Sequence, residues 1–127
     1  FARGVGNFEF DRARHATRQM FSGDSESRPD AVFVANDHMA FAVMDTLRAE
    51  LGLAVPDDVS IVGYDDVPAA AWPSYDLTTV RQRTGQMIKA TVDMLLSEIE
   101  NQGAVPCQVK IDGPLVLRGS ARLTKGR

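Results

Sequence analysis

An α/β fold built on an open, mostly parallel sheet is predicted by three features of the sequence. Residues 31–35 (AVFVA) and 59–62 (VSIV) are short aliphatic runs without alternation, the pattern of strands buried on both faces. Between them, residues 39–51 carry Ala40, Val43, Met44, Leu47 and Leu51 at helical spacing. Strand, helix and strand in that order make a right-handed crossover, so the two strands run parallel and their C-terminal ends emerge on one edge.

The other elements follow from local signals. Residues 1–6 read as a strand end entering a turn. A helix over 11–21 starts near Asp11 and turns Ala13, Ala16, Met20 and Phe21 to one side; residues 23–29 are a polar loop. Asn36 and Asp37 stand ready to cap the central helix, and Gly52 sits where its C-terminal cap belongs. Pro56, Asp57 and Asp58 make a turn into the second strand, after which Gly63 opens an irregular loop that runs to Asp76. Ile88, Val92, Leu95 and Ile99 define one face of a helix over 86–101, ended by Gly103 and Pro106. Short strands over 109–111 and 115–117 flank a Gly113-Pro114 turn, and the basic stretch 118–127 reads as a solvated end. There are no internal repeats or low-complexity tracts.

Composition narrows the function. The 127 residues, 44% of them hydrophobic, suffice for one domain or part of one. A net charge of −3 and a pI near 5.3 are opposite to the basic stripe a free-standing nucleic-acid binder needs. The single cysteine, Cys107, has no partner in the chain for a disulfide and no companions at metal-ligand spacing, so a reducing cytoplasm is the simplest compartment. No apolar run nears the roughly 18 residues of a spanning helix, and no signal peptide is evident. The start at Phe1, inside what reads as a strand end, suggests a piece of a larger domain.

Open α/β sheets bind ligands beyond the carboxyl ends of their strands. Three places fit that rim: Gly6-Asn7-Phe8, Asn36-Asp37-His38 and Tyr64-Asp65-Asp66. A ring, a carboxamide and a carboxylate together suit a polyhydroxylated ligand, the ring covering an apolar sugar face while the polar groups take hydroxyls. Plainer roles exist for each. Phe8 would serve as a core aromatic, capping is the default for Asp37 and a second duty for Asn36, and His38 would be solvated or capping; His15 has no evident partner. Asp65 and Asp66 point to opposite sides of a strand-like segment and have no nucleophile or metal-ligand set beside them, which speaks against catalysis. Trp72, Pro73 and Tyr75 suit either loop packing or a partner surface.

The run ANDHMAFAVMDTLRAELGLAVPDDVSIVGYDDVPAAAWPSYDLTTVRQ, Ala35 to Gln82, resembles the core of a LacI/GalR effector domain. It holds, in order, an AND helix start, a Gly-x-x-Val-Pro-x-Asp-Val-Ser stretch, GYDD, and LTT followed by a hydrophobic residue and Gln82. The likeness extends more weakly to GNFEFDRARHA and PLVLRGSAR, and departs where relatives carry Gly then an aromatic and this chain has Ala13 and Arg14. The resemblance implies a three-layer, type I periplasmic-binding-protein-like α/β fold, present here as a partial C-terminal lobe over 1–83. Residues 84–112 are then the helix and strand that pack on the N-terminal lobe in relatives, and 113–127 the returning strand and tail.

By the same resemblance Phe8 stacks on the effector, Asn36 and Asp65 take its polar groups, and Gln82 approaches from the hinge. Phe41 and the loop bearing Trp72, Pro73 and Tyr75 form a homodimer interface. The implied partners are a small-molecule effector of carbohydrate type, a second copy of the chain, and DNA only through a helix-turn-helix region outside this sequence. No cofactor, metal or membrane is called for. The alternative from a different class is a solute-binding receptor of a sugar transport system, which shares the fold but should lack GYDD and LTTVRQ. An enzyme using Asp65, Asp66 and His38 is a third reading.

Overall fold

The computed structural model describes residues 2–100 and 108–122. Cys107, the expected helix stop at Gly103 and Pro106, and the end of the basic tail lie outside the described residues. The chain divides into two compact units, one of residues 1–81 with 115–127, the other of residues 82–114.

In the first unit, α1 (Phe10–Met20) and α2 (Asp37–Asp45) accompany a four-stranded sheet of order β1 (Ala31–Phe33), β2 (Ser60–Asp65), β3 (Thr78–Arg81), β4 (Leu115–Val116). β1, β2 and β3 are parallel, with Phe33 beside Val62 and Asp65 beside Arg81; β4 runs antiparallel to β3. The expected β-α-β unit is therefore present in a mostly parallel open sheet. Its core joins Phe21 of the α1 terminus, Ala40, Val43, Met44 and Leu47 of the central helix, and Val59, Ile61 and Leu77 of the sheet region. Burying that apolar stripe holds α2 more firmly than its modest intrinsic propensity would.

The helices differ in how they end. Asp11 supports the positive end of α1, and Thr17 joins the expected inward stripe by returning its hydroxyl to Ala13 O at 2.8 Å. α2 widens into a π-helical turn over Thr46–Glu50, then stops as Gly52 takes φ +64°, a left-handed value that glycine tolerates without a Cβ clash. The widened turn presents Glu50 to α1, where its carboxylate receives Arg18 Nε at 2.6 Å and Arg14 Nη2 at 2.7 Å. The bond from Arg18, then that from Arg14, lowers the Glu50 pKa to about 2.

Several expectations need correction. β1 is the outermost strand, so Ala31 and Phe33 are exposed rather than buried on both faces. Along it runs an apolar groove of about 500 Å³, also lined by Gly4, Ala16 and Met20. Residues 2–6 form no strand, β1 pairing with β2 alone among the described residues; the turn itself forms, with Asn7 and Phe8 at positive φ. β2 continues through Gly63 to Asp65, since its ladder with β3 extends that far. Residues 78–81, within LTTVRQ, form the interior strand β3, which has no strand signal in the sequence because its buried threonines, whose hydroxyls find partners inside, read as a polar run.

Residues 118–122 are not part of a solvated end. Ser120 is fully buried, donating its hydroxyl to Ile61 O at 2.7 Å and accepting Thr78 N–H at 2.8 Å. Ile61 N–H donates in turn to Ser120 O at 2.7 Å, so this residue bridges β2 and β3 just below their direct pairing. Arg122 reaches the carbonyls of Asp57 and Asp30.

In the second unit, α3 (Thr84–Glu100) matches the expected helix. Its Ile88, Val92, Leu95 and Ile99 are all exposed, and Lys89 pairs with Asp93 one turn on at 2.7 Å. Residues 109–111 form no strand, having no strand neighbour among the described residues.

Candidate functional site

Parallel pairing brings two of the predicted loops to one rim. Asn36 lies three residues beyond Phe33 and Asp65 three beyond Val62, and Phe33 and Val62 are register partners. The loop bearing Phe8 is held against the same helix start. A Cβ built on Gly6 would come within 2.6 Å of Met39 Sδ, so backbone there lies directly on α2's first turn. Phe8 itself is 73% exposed, which sets aside the core-aromatic role.

Asn36 is the N-cap of α2, its Oδ1 accepting Met39 N–H at 2.8 Å. With one bond to that oxygen made, its amide N–H pair and a second lone pair remain. Asp65 ends β2 at φ 126° and Asp66 follows at φ 59°, two consecutive non-glycine residues in left-handed territory. Such strain persists only where the surroundings hold it.

What holds it is a pair of buried acids, one behind each rim residue. Asp37 is fully buried and does not cap its own helix. Its Oδ2 accepts Val67 N–H at 3.0 Å and its Oδ1 accepts the Thr79 hydroxyl at 2.6 Å. The capping role expected of it falls to Asn36 alone, because the chain turns Asp37 inward toward β3. Gly63 makes room: a Cβ there would collide with Asp37 Oδ1. Asp66, 6% exposed in its side chain, receives Arg118 Nη2 at 2.7 Å and Arg81 Nε at 2.6 Å. Burial works against its charge, but Arg118 and then Arg81 outweigh that and hold its carboxyl below the ordinary value.

The other predicted residues fall elsewhere. Gln82 is the first residue of the second unit. Phe41 is buried and stacks on Tyr75 with centroids 4.2 Å apart, while Tyr75 donates its hydroxyl to Asp45 Oδ2 at 3.3 Å. Burial, then the Asp45 carboxylate, pushes the Tyr75 phenol upward. Trp72 and Pro73 are exposed, at the end of a 3₁₀ turn over Pro68–Ala71 and fixed nearby by Arg48 Nη1 on Ser74 O at 2.6 Å. His38 is exposed, edge-on to Phe41. Among the described residues, no group of three or more His, Cys, Asp or Glu side chains could hold a metal ion.

A parallel sheet with a polar rim of this kind defines a class, the periplasmic binding protein-like domain, and that family matches residues 4–121. The chain belongs to that family. It is 40% identical over 97 residues to the HTH-type transcriptional repressor PurR of Vibrio atlanticus, covering 76% of this chain and 28% of that protein. It is 36% identical over 118 residues to the ribose operon repressor of Escherichia coli, covering 92% and 34%. Among solved structures, the transcriptional regulator CelR in complex with cellobiose superposes with a TM-score of 0.80 at 33% identity, covering 91% of this chain and 35% of that one. The chain thus spans about a third of the length of these relatives.

Proposed function

We propose that this chain is the effector-sensing and dimerisation portion of a LacI/GalR-type transcription repressor, in which ligand binding alters operator affinity. The observation that carries this reading is the convergence of Asn36 and Asp65 at one rim, each backed by a buried acid that fixes its turn. A rigid donor from Asn36 and an acceptor from Asp65, with the exposed ring of Phe8 on the neighbouring loop, suit a carbohydrate or a similar hydroxyl-rich effector. Gln82 is a further contact in this reading, reached at the start of the second unit. Residues 1–83 form the C-terminal sensing lobe, residues 84–112 dock on the other lobe of the complete protein, and 113–127 return to the first.

The domain works as a binding module in the cytoplasm, not as an enzyme. The curated relatives are repressors, which favours a regulator over a transport receptor. Phe41, Trp72, Pro73 and Tyr75 serve the homodimer, Phe41 by bracing Tyr75 from beneath and Trp72 with Pro73 by direct contact. DNA is reached through a helix-turn-helix region of the complete protein.

Calorimetry of the complete protein against sugars, polyols and nucleobases tests this. A ligand should bind, and Asp65→Ala should weaken it by about tenfold or more, the loss of one or two charge-assisted hydrogen bonds. No ligand in the panel, or unchanged affinity in the variant, would sink the proposal.

A further inference from the structure

The first unit sends the chain out after Arg81 and receives it back at Leu115. Both connections are tied to one carboxylate. Arg81 is the last residue of β3, and its Nε donates to Asp66 Oδ2 at 2.6 Å. Arg118 lies two residues beyond β4, and its Nη2 donates to Asp66 Oδ1 at 2.7 Å. Arg118 is secured further by Nη1 on Leu77 O at 2.8 Å, and its backbone N–H and C=O both engage Thr78 Oγ1 at 2.9 Å. The carboxylate that joins them belongs to the strained turn carrying Asp65, and the next peptide is pinned by Val67 N–H on Asp37.

We propose that Asp66 is a positioning residue that holds the Asp65 turn in a fixed relation to the outgoing strand at Arg81 and the returning strand at Arg118. A change at Asp65 on ligand binding is thereby passed to both connections. The geometry accounts for the use of two guanidinium groups on one carboxylate. Neutralising a buried acid needs one partner, and the second serves to join the other crossing. Arg118, 15% exposed in its side chain, is the inner arm; Arg81, 56% exposed, is the outer one. The coupling to ligand rests on the reading of Asp65 as a ligand contact, whereas the fixing of the connections does not.

Hydrogen exchange on the complete protein separates these claims. In Asp66→Asn, which keeps volume and removes charge, amides of residues 80–83 and 115–118 should exchange about tenfold faster or more, while those of β1 and α2 keep their rates. Unchanged exchange at both connections, or uniform acceleration through the whole first unit, overturns the proposal. Should that variant fail to fold, Arg81→Gln at the exposed arm decides: faster exchange at residues 80–83 supports it and wild-type rates overturn it. Cellobiose and sucrose serve as ligand probes. Where either binds, it should slow exchange at both connections in the wild type and lose that effect in Asp66→Asn; an equal effect in both proteins overturns the coupling. Binding of neither counts against the ligand reading of Asp65, and the exchange result still decides the clamp.

Discussion

Replacing Asp37 by alanine should destabilise the fold severely, because its two oxygens serve the two strand connections that shape the rim. The side chain is fully buried, with Oδ1 on the Thr79 hydroxyl and Oδ2 on Val67 N–H. Alanine leaves that hydroxyl and that amide without an acceptor, at about 1–3 kcal/mol each, so a loss of about 3–5 kcal/mol is expected. Against a total stability on the order of 5–15 kcal/mol this is a large fraction. With a urea slope of about 1–3 kcal/mol/M, the denaturation midpoint should fall by about 2 M. Far-ultraviolet circular dichroism, through the helices α1 and α2, reports unfolding. Asp37→Asn keeps the volume and one acceptor and should cost about half as much. The double variant Asp37→Ala, Thr79→Val should be less destabilised than the sum of its singles by about 1–2 kcal/mol, because both mutations remove the same bond. Additive losses, or a midpoint shift under about 0.3 M for Asp37→Ala, would refute the assignment of Asp37 as the tie between α2, β3 and the Asp65–Asp66 turn.

Other measurements test separate parts of the structure. Gly63→Ala should lower the urea midpoint by an amount equivalent to about 2–4 kcal/mol, since its Cβ collides with Asp37 Oδ1 and stands 3.0 Å from Leu77 Cδ2; a neutral effect would contradict the packing. The Glu50 carboxyl should titrate near pH 2 by NMR, against an ordinary value of 4.5. Because its folded pKa is lowered, its contribution to stability is complete above about pH 4.5 and fades as pH falls toward 2; ordinary titration would exclude the Arg14 and Arg18 pairing in solution. Trp72, 59% exposed, should emit at long wavelength when dilute and shift to shorter wavelength as concentration rises, with Trp72→Ala weakening the dimer by about 2 kcal/mol in sedimentation. With Ile88, Val92, Leu95 and Ile99 of α3 exposed, the 127-residue chain should self-associate at micromolar concentration; a monodisperse monomer in light scattering would contradict this.

The parts of the fold that were legible are those whose signals are local. The helical spacing of Ala40, Val43, Met44 and Leu47 reports burial directly, and all four are buried. Gly52 marks the end of that segment through its own backbone angle. Strand β3 was not legible, since two threonines in LTTVRQ lower its apparent hydrophobicity. They are tolerated inside because Thr79 bonds Asp37, 42 residues away, and Thr78 bonds Arg118, 40 residues away. Ser120 was hidden for the same reason, its hydroxyl serving Ile61 across 59 residues. A polar residue placed in a core by a distant partner leaves no trace in the periodicity around it.

The rim shows the same division within adjacent residues. The triplets holding Asn36 and Asp65 can be picked out because the ends of parallel strands must meet on one edge, a consequence of topology, while the choice of those two within them rests on the resemblance to LacI/GalR effector domains. Asp37 and Asp66 cannot be distinguished from caps or surface acids without their partners, Thr79 and the pair Arg81 and Arg118. Yet, if Asn36 and Asp65 meet a ligand as proposed, the second residue of each pair makes the first useful. A carboxylate on a freely moving loop loses conformational entropy when it engages a ligand, whereas one on a turn held by the two ion pairs of Asp66 and a fixed amide has already met that cost in folding. The ND of Asn36-Asp37 and the DD of Asp65-Asp66 are thus each one unit, an outward group followed by its anchor. Substituting the anchor should weaken ligand binding without removing a single ligand contact.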